Sequence, residues 1–162
     1  MNGKKPLAIA YDPRGPMDLR KFFLKIDPLI AGWMNRHGFI FLRCSLAIVF
    51  IWFGGLKFTG ISPANELVAK TVYWFRPEVF IPILGAWEVA IGVCLLIRPL
   101  IRVAIFLLLL QMPGTMLPLV LLPEVCFTYF PFGLTLEGQY IIKNLVLISA
   151  AIVIGGTVRS KA

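Results

Sequence analysis

Histidine, cysteine and acid are scarce in this chain of 162 residues: one histidine, three cysteines and eight acidic residues stand against sixteen basic ones. The lone His37 excludes bis-histidine haem ligation inside a helical bundle. Cys44, Cys94 and Cys126 lie far apart, and there is no Cys-x-x-Cys. That disfavours a thiol–disulfide relay, and no cluster has metal-ligand spacing, so no metal site is expected. Cys126 alone remains open to a mixed disulfide or persulfide, against the plainer reading of a structural thiol. The run Gly54-Gly55-Leu56-Lys57 lacks the spacing and the strand–loop–helix setting of a phosphate loop, and no hydrolase motif occurs. Any electron chemistry would therefore need a diffusible quinone or a cofactor carried by a partner. A cleavable signal peptide is not evident either. The apolar run Leu7 to Ala10 is short and is cut off by Tyr11-Asp12-Pro13-Arg14-Gly15-Pro16, so the first spanning helix is expected to act as the insertion signal.

Apolar surface is what the chain has in excess. It is 59% hydrophobic, with a mean hydropathy of +0.85, where soluble domains run near 45–50%. The excess falls in four blocks: Phe39 to Leu56, Val79 to Ile97, Val103 to Leu122 and Gly138 to Gly156. Each approaches the ~20 residues that cross the hydrocarbon of a bilayer. The expected fold is an all-α integral membrane four-helix bundle over residues 37–158. A basic cytoplasmic segment, 1–36, precedes it, and a short tail, 159–162, follows.

The net charge of +8 is read as topology rather than as a nucleic-acid footprint. Lys4, Lys5, Arg14, Arg20, Lys21, Lys25, Arg36, Arg43, Arg98, Arg102, Arg159 and Lys161 fall on one side of the four spans. Lys57, Lys70, Arg76 and Lys143 fall on the other. Basic residues favour the cytoplasmic side, so both termini and the turn Arg98-Pro99-Leu100-Ile101-Arg102 are expected there. In the first outer loop, Ser62-Pro63-Ala64-Asn65-Glu66 reads as a helix start with Ser62 as N-cap, opening a short amphipathic helix. Met17 to Ile26 reads as a second, basic one, with Pro6, Pro13, Pro16 and Pro28 breaking the rest of the segment. Such a segment has no core of its own, which points to anionic lipid or other membrane-protein subunits as partners.

Glu88 is the acid that matters most, because it lies at membrane depth. A carboxylate there must be paired, protonated or wetted. Gln111 lies at similar depth, and Lys57 and Lys143 are near enough to offer a cation. A Glu88–Lys57 or a Glu88–Lys143 pair, with Gln111 as hydrogen-bond partner, would satisfy it. Gly85, Ala86 and Gly92 let another helix come close. Two readings stand side by side: an ion pair that only fixes helix order, and a proton-handling or quinone-headgroup site with Glu88 as candidate catalytic residue. Span three adds Pro113 and Pro118, each expected to kink the helix and free a carbonyl. The outer loop Pro123 to Phe132 is aromatic and carries no basic residue.

Phe53-Gly54-Gly55-Leu56-Lys57-Phe58, Gly85-Ala86-Trp87-Glu88-Val89-Ala90-Ile91-Gly92 and Glu137-Gly138-Gln139-Tyr140-Ile141-Ile142-Lys143-Asn144-Leu145 together resemble the DoxX-like family of small bacterial membrane proteins. The likeness covers about Arg43 to Val158 and is nearest to the branch that includes the membrane protein of the reactive-chlorine resistance operon. It implies a four-helix bundle in the bacterial inner membrane, with relatives associated with thiosulfate:quinone oxidoreductase and with oxidative-stress complexes. Lys57 and Glu88 match positions the family usually shows. The expectation is a membrane subunit of a larger redox- or quinone-linked assembly. A purely structural subunit, and a stand-alone quinone-reducing enzyme acting on a small sulfur compound, are the alternatives.

Overall fold

The computed structural model describes the backbone of residues 19–158 and the side chains from Leu24 onward. Four helices carry the fold, and each is long and apolar enough to cross a membrane: they include Leu24–Phe58, Pro77–Leu96, Arg98–Leu121 and Leu136–Thr157. The chain is a multi-pass helical membrane protein by that measure. In order, the elements are α1 (Leu19–Phe58), α2 (Asn65–Thr71), α3 (Pro77–Leu96), α4 (Ile101–Met116), α5 (Pro118–Leu121), α6 (Pro123–Cys126), β1 (Phe127–Tyr129), β2 (Gly133–Leu134) and α7 (Leu136–Thr157).

Contacts divide the chain into two units, residues 1–38 and 39–162. In the first unit the described side chains are mostly exposed, Leu29 and Trp33 among them. His37 Nδ1 lies 3.1 Å from the Trp33 carbonyl oxygen, one helical turn back. The expected break at Pro28 does not occur: α1 runs through it. A proline deletes one backbone bond and crowds one carbonyl, and the forty residues of this helix carry enough other bonds to continue. Residues 1–18 and 159–162, which hold half of the expected N-terminal segment and the whole tail, lie outside the described residues.

The second unit is built on antiparallel neighbours. The short 3₁₀ turn Arg98–Leu100 joins α3 to α4, and short connections force adjacent helices to run oppositely. Along α1 and α3 the same sense follows from two close approaches, Gly54 against Gly85 and the Ala47–Ile51 turn against Gly92. Apolar side chains from four helices close the core: Leu46, Ala47 and Phe50 of α1, Ile91 and Leu95 of α3, Ala104 and Leu108 of α4, Ala151 and Ile154 of α7. The outward faces are just as apolar, with Trp52, Ile83, Phe106, Val146 and Ile152 exposed. Helices apolar all round belong in hydrocarbon or in a large core, and a bundle this small offers only the former.

Two local expectations change. Ser62 is not the cap of α2. Its carbonyl accepts the Asn65 amide at 3.1 Å, forming a turn ahead of the helix, and the first helical bond is Val68 N–H to Ala64. Ala64 therefore holds the cap position without a side-chain bond. On α2 itself, Lys70 donates to Glu66 at 2.7 Å across one turn. The second change is in the aromatic loop, which is not wholly helical or irregular. After the single turn α6 it forms an antiparallel β1–β2 hairpin, with Phe127 opposite Leu134 and Tyr129 opposite Gly133. The Phe130–Pro131 peptide at its tip is cis.

Of the two prolines expected to kink span three, Pro113 sits inside an unbroken α4. The interruption falls at Leu117, just before Pro118. There the Leu117 amide reaches back only to Gly114, at 3.3 Å, and Pro118 starts α5 as its first residue. This is where a proline fits with least loss, since its missing N–H is one the helix start leaves unpaired anyway.

Candidate functional site

Three helices deliver the polar centre. Lys57 stands in the last turn of α1, Glu88 in the middle of α3 and Gln111 on α4. Glu88 is about 16 Å along α3 from Pro77, at 1.5 Å per residue. Lys57 Nζ donates to Glu88 Oε2 at 2.6 Å. Gln111 Nε2 donates to Glu88 Oε1 at 2.9 Å. Lys57 is 6% exposed and Glu88 8%, so the pair is charge-compensated inside a largely apolar bundle. Each oxygen of the carboxylate has one donor. The amide oxygen of Gln111 is buried and has no partner.

Glycine brings these groups within reach. A Cβ on Gly54 would lie 2.7 Å from the Gly85 carbonyl oxygen and 2.9 Å from Glu88 Cβ. On Gly85 it would lie 2.8 Å from the Gly54 carbonyl oxygen and 3.0 Å from Lys57 Cβ. The two backbones touch at the level of the ion pair, and only hydrogen fits between them. Two turns beyond Gly85 along α3, Gly92 meets the Ala47 carbonyl and Ile51 in the same way. The pair is thus short because the helices are close, and the helices are close because both carry glycine there.

Of the two cations that the sequence offered Glu88, the structure chooses Lys57. Lys143 is exposed on α7, its ammonium 5.0 Å from the centre of the Tyr140 ring. The reason is periodicity. Ile141, Ala151 and Ile154 mark the buried face of α7, and a residue two positions after Ile141 is turned by about 200° from it. The Lys143 position of the expected site is therefore corrected, whereas Lys57, Glu88 and Gln111 do come together.

Trp87 escaped the sequence reading. Its indole N–H donates to the Leu107 carbonyl on α4 at 3.3 Å, beside the Gln111 contact. An indole N–H in an apolar span needs an acceptor, and that requirement was the available signal. Gly54 was missed as well; its partner Gly85 was visible, but no local pattern says which glycine of a facing helix it meets.

At the same end of the bundle Cys126 is fully buried. Burial pushes its thiol above the ordinary range, and the charges of Glu137 and Glu124 add to the effect. Its carbonyl receives the Thr135 amide at 3.0 Å, which ties the hairpin base. Thr135 also caps α7: its hydroxyl accepts the Gly138 amide at 3.1 Å and donates to the Val125 carbonyl at 2.7 Å. All three cysteines are free thiols. Among the described residues no group of three or more histidines, cysteines and carboxylates is placed to hold a metal. No family model, no curated protein and no solved structure matches this chain.

Proposed function

We propose that this chain is the membrane subunit of a larger redox-linked assembly in a bacterial cytoplasmic membrane, with both termini on the cytoplasmic side. In this reading it resembles the DoxX-like proteins and contributes a quinone-responsive polar centre built from Lys57, Glu88 and Gln111. The observation that carries the reading is the Glu88 carboxylate held between Lys57 and Gln111, with the Gln111 amide oxygen left as a buried acceptor. A quinol hydroxyl is a donor of the kind that acceptor lacks. Lys57 has two further N–H donors for a quinone oxygen.

A second reading, that the pair only fixes helix order, is favoured by the protein donor that each Glu88 oxygen already has. The test is the double substitution Lys57→Met with Glu88→Gln, which removes both charges and keeps a polar partner for Gln111. The wild-type protein and the double variant are purified in nanodiscs from native membrane, and co-purifying subunits and quinone are measured by mass spectrometry. The proposal expects wild type to carry quinone together with redox subunits, and the variant to keep the subunits but lose the quinone. Wild type with subunits that have no redox role, and without quinone, overturns it in favour of the structural reading. Wild type carrying quinone but no partner replaces it with a stand-alone enzyme.

A further inference from the structure

Between Glu124 and Glu137 the chain has no charged residue, yet its tip is exposed. Tyr129 is 76% exposed, Phe130 70% and Phe132 86%. Large aromatic surface of this kind, gathered on one tip, marks a contact.

The hairpin that presents it is held firmly. Its strands pair with each other, Thr128 Oγ1 donates to the Gly133 carbonyl at 3.1 Å, and the ring of Phe127 meets Phe130 edge to face at 5.2 Å. The base is clamped by Thr135, and by Gly138, where a Cβ would collide with the Cys126 carbonyl oxygen. A hairpin that pairs much of its own backbone can enter a poorly hydrated zone at little cost in unmade hydrogen bonds. The chain enters the apolar helix α7 two residues after Leu134, so the base of the hairpin stands where the apolar span begins. Leu136 and Tyr140 at the start of that helix are each 68% exposed as well. Lys143 follows, its ammonium over the Tyr140 ring. A lysine on a lipid-facing helix that turns its charge back toward an interfacial tyrosine is a snorkelling side chain. Tyrosine at the polar boundary is where such rings are enriched.

We infer that the β1–β2 tip, with Leu136, Tyr140 and Lys143, is a lipid-binding wedge. It inserts into the phospholipid interface of the leaflet at the Lys57 end of the bundle, with Tyr129, Phe130 and Phe132 below the headgroups. The wedge is independent of any chemistry at Glu88. It fixes the tilt and depth of α7 from outside, and leaves Lys143 to meet a lipid phosphate.

Spin labels on single introduced cysteines test it. The full chain carries Cys44→Ala and Cys94→Ala and keeps the buried Cys126. A label is placed at Phe132→Cys, at Tyr129→Cys as a second tip position in case the first misfolds, or at Glu66→Cys on α2 as a reference. Collision with oxygen and with a water-soluble nickel chelate is measured in phosphatidylglycerol–phosphatidylethanolamine nanodiscs. The expected result is a tip label reached several-fold better by oxygen than by the chelate, relative to the label at 66. A tip label that meets the chelate as freely as the one at 66 overturns the inference and gives the aromatic surface to a protein partner.

Discussion

At Glu88 the energetic question is what happens when one member of the trio goes. A buried charge left without its partner costs about 3–5 kcal/mol, whereas replacing both charges together is often near neutral. Glu88→Gln alone leaves the Lys57 ammonium 6% exposed and facing an amide. It should lower stability by roughly 3–5 kcal/mol in detergent unfolding, and adding Lys57→Met should restore most of that loss. A double variant no more stable than the worse single one would sink the account of a compensated pair. Gly85 supports a second expectation. The atoms that crowd its missing Cβ include a backbone carbonyl, which cannot swing aside, so Gly85→Ala should cost about 1–3 kcal/mol. Gly55 has open space around it, so Gly55→Ala should be neutral or slightly stabilising, as alanine is favoured over glycine in a helix by roughly 0.5–1 kcal/mol. Equal effects at the two positions in parallel thermal melts would show that the helices are not in contact there. At this scale Glu88 and its need for a partner were legible, because an acid in an apolar run is visible one residue at a time. The choice of Lys57 over Lys143 was not, because it depends on which face of α7 turns inward.

The elements divide along a similar line. The four spans were readable because each is a long apolar block, and they differ from the structure mainly by a few residues at their ends and by the long N-terminal extension of α1. Three features were not readable: the passage of α1 through Pro28, the loss of Ser62 as a cap, and the β1–β2 hairpin. The first rests on the many other bonds of a long helix, the second on a local turn at Ser62; the third is decided by bonds between segments, as the Thr135 hydroxyl shows by serving α7 and the α6 carbonyl at once. Thr135→Ala removes an N-cap, worth about 0.5–2 kcal/mol, and also leaves the Val125 carbonyl without its donor. Faster amide exchange confined to the hairpin and the first turn of α7 is the expected signature; exchange unchanged there would mean the cap carries no load. The thiol of Cys126 at the hairpin base provides a pH test. Its pKa is raised by burial and then by Glu137 and Glu124, so the fold prefers the protonated form. That preference is fully present below the ordinary thiol value of about 8.5 and is lost only as pH rises through the higher value of the folded state. Alkylation of Cys126 should therefore reach half its limiting rate at a more alkaline pH than a free cysteine does, and a midpoint at or below the free value would contradict the burial.

For the membrane domain as a whole, charge is distributed by end. Glu66, Glu78, Glu124 and Glu137 all lie in or beside the connections at the Lys57 end, while the α3–α4 turn at the other end holds Arg98 and Arg102 and no acid. The packing of the helices does not require this, because none of these four acids belongs to the buried core. The proposed orientation, with the arginine turn on the cytoplasmic side, would account for it, and Lys70 and Arg76 at the opposite end are set among the acids. The same asymmetry was visible in the sequence, since it needs only the spans and a count. Single cysteines read the orientation directly, in a background carrying Cys44→Ala and Cys94→Ala. Glu66→Cys on α2 should react with a membrane-impermeant maleimide in intact cells. Leu100→Cys in the α3–α4 turn should react only after the membrane is opened. The reverse pattern would invert the topology and place the hairpin on the cytoplasmic leaflet. It would also show that the eleven-residue connection from Arg76 back to Glu66, rather than the arginine turn, is the segment the membrane retains.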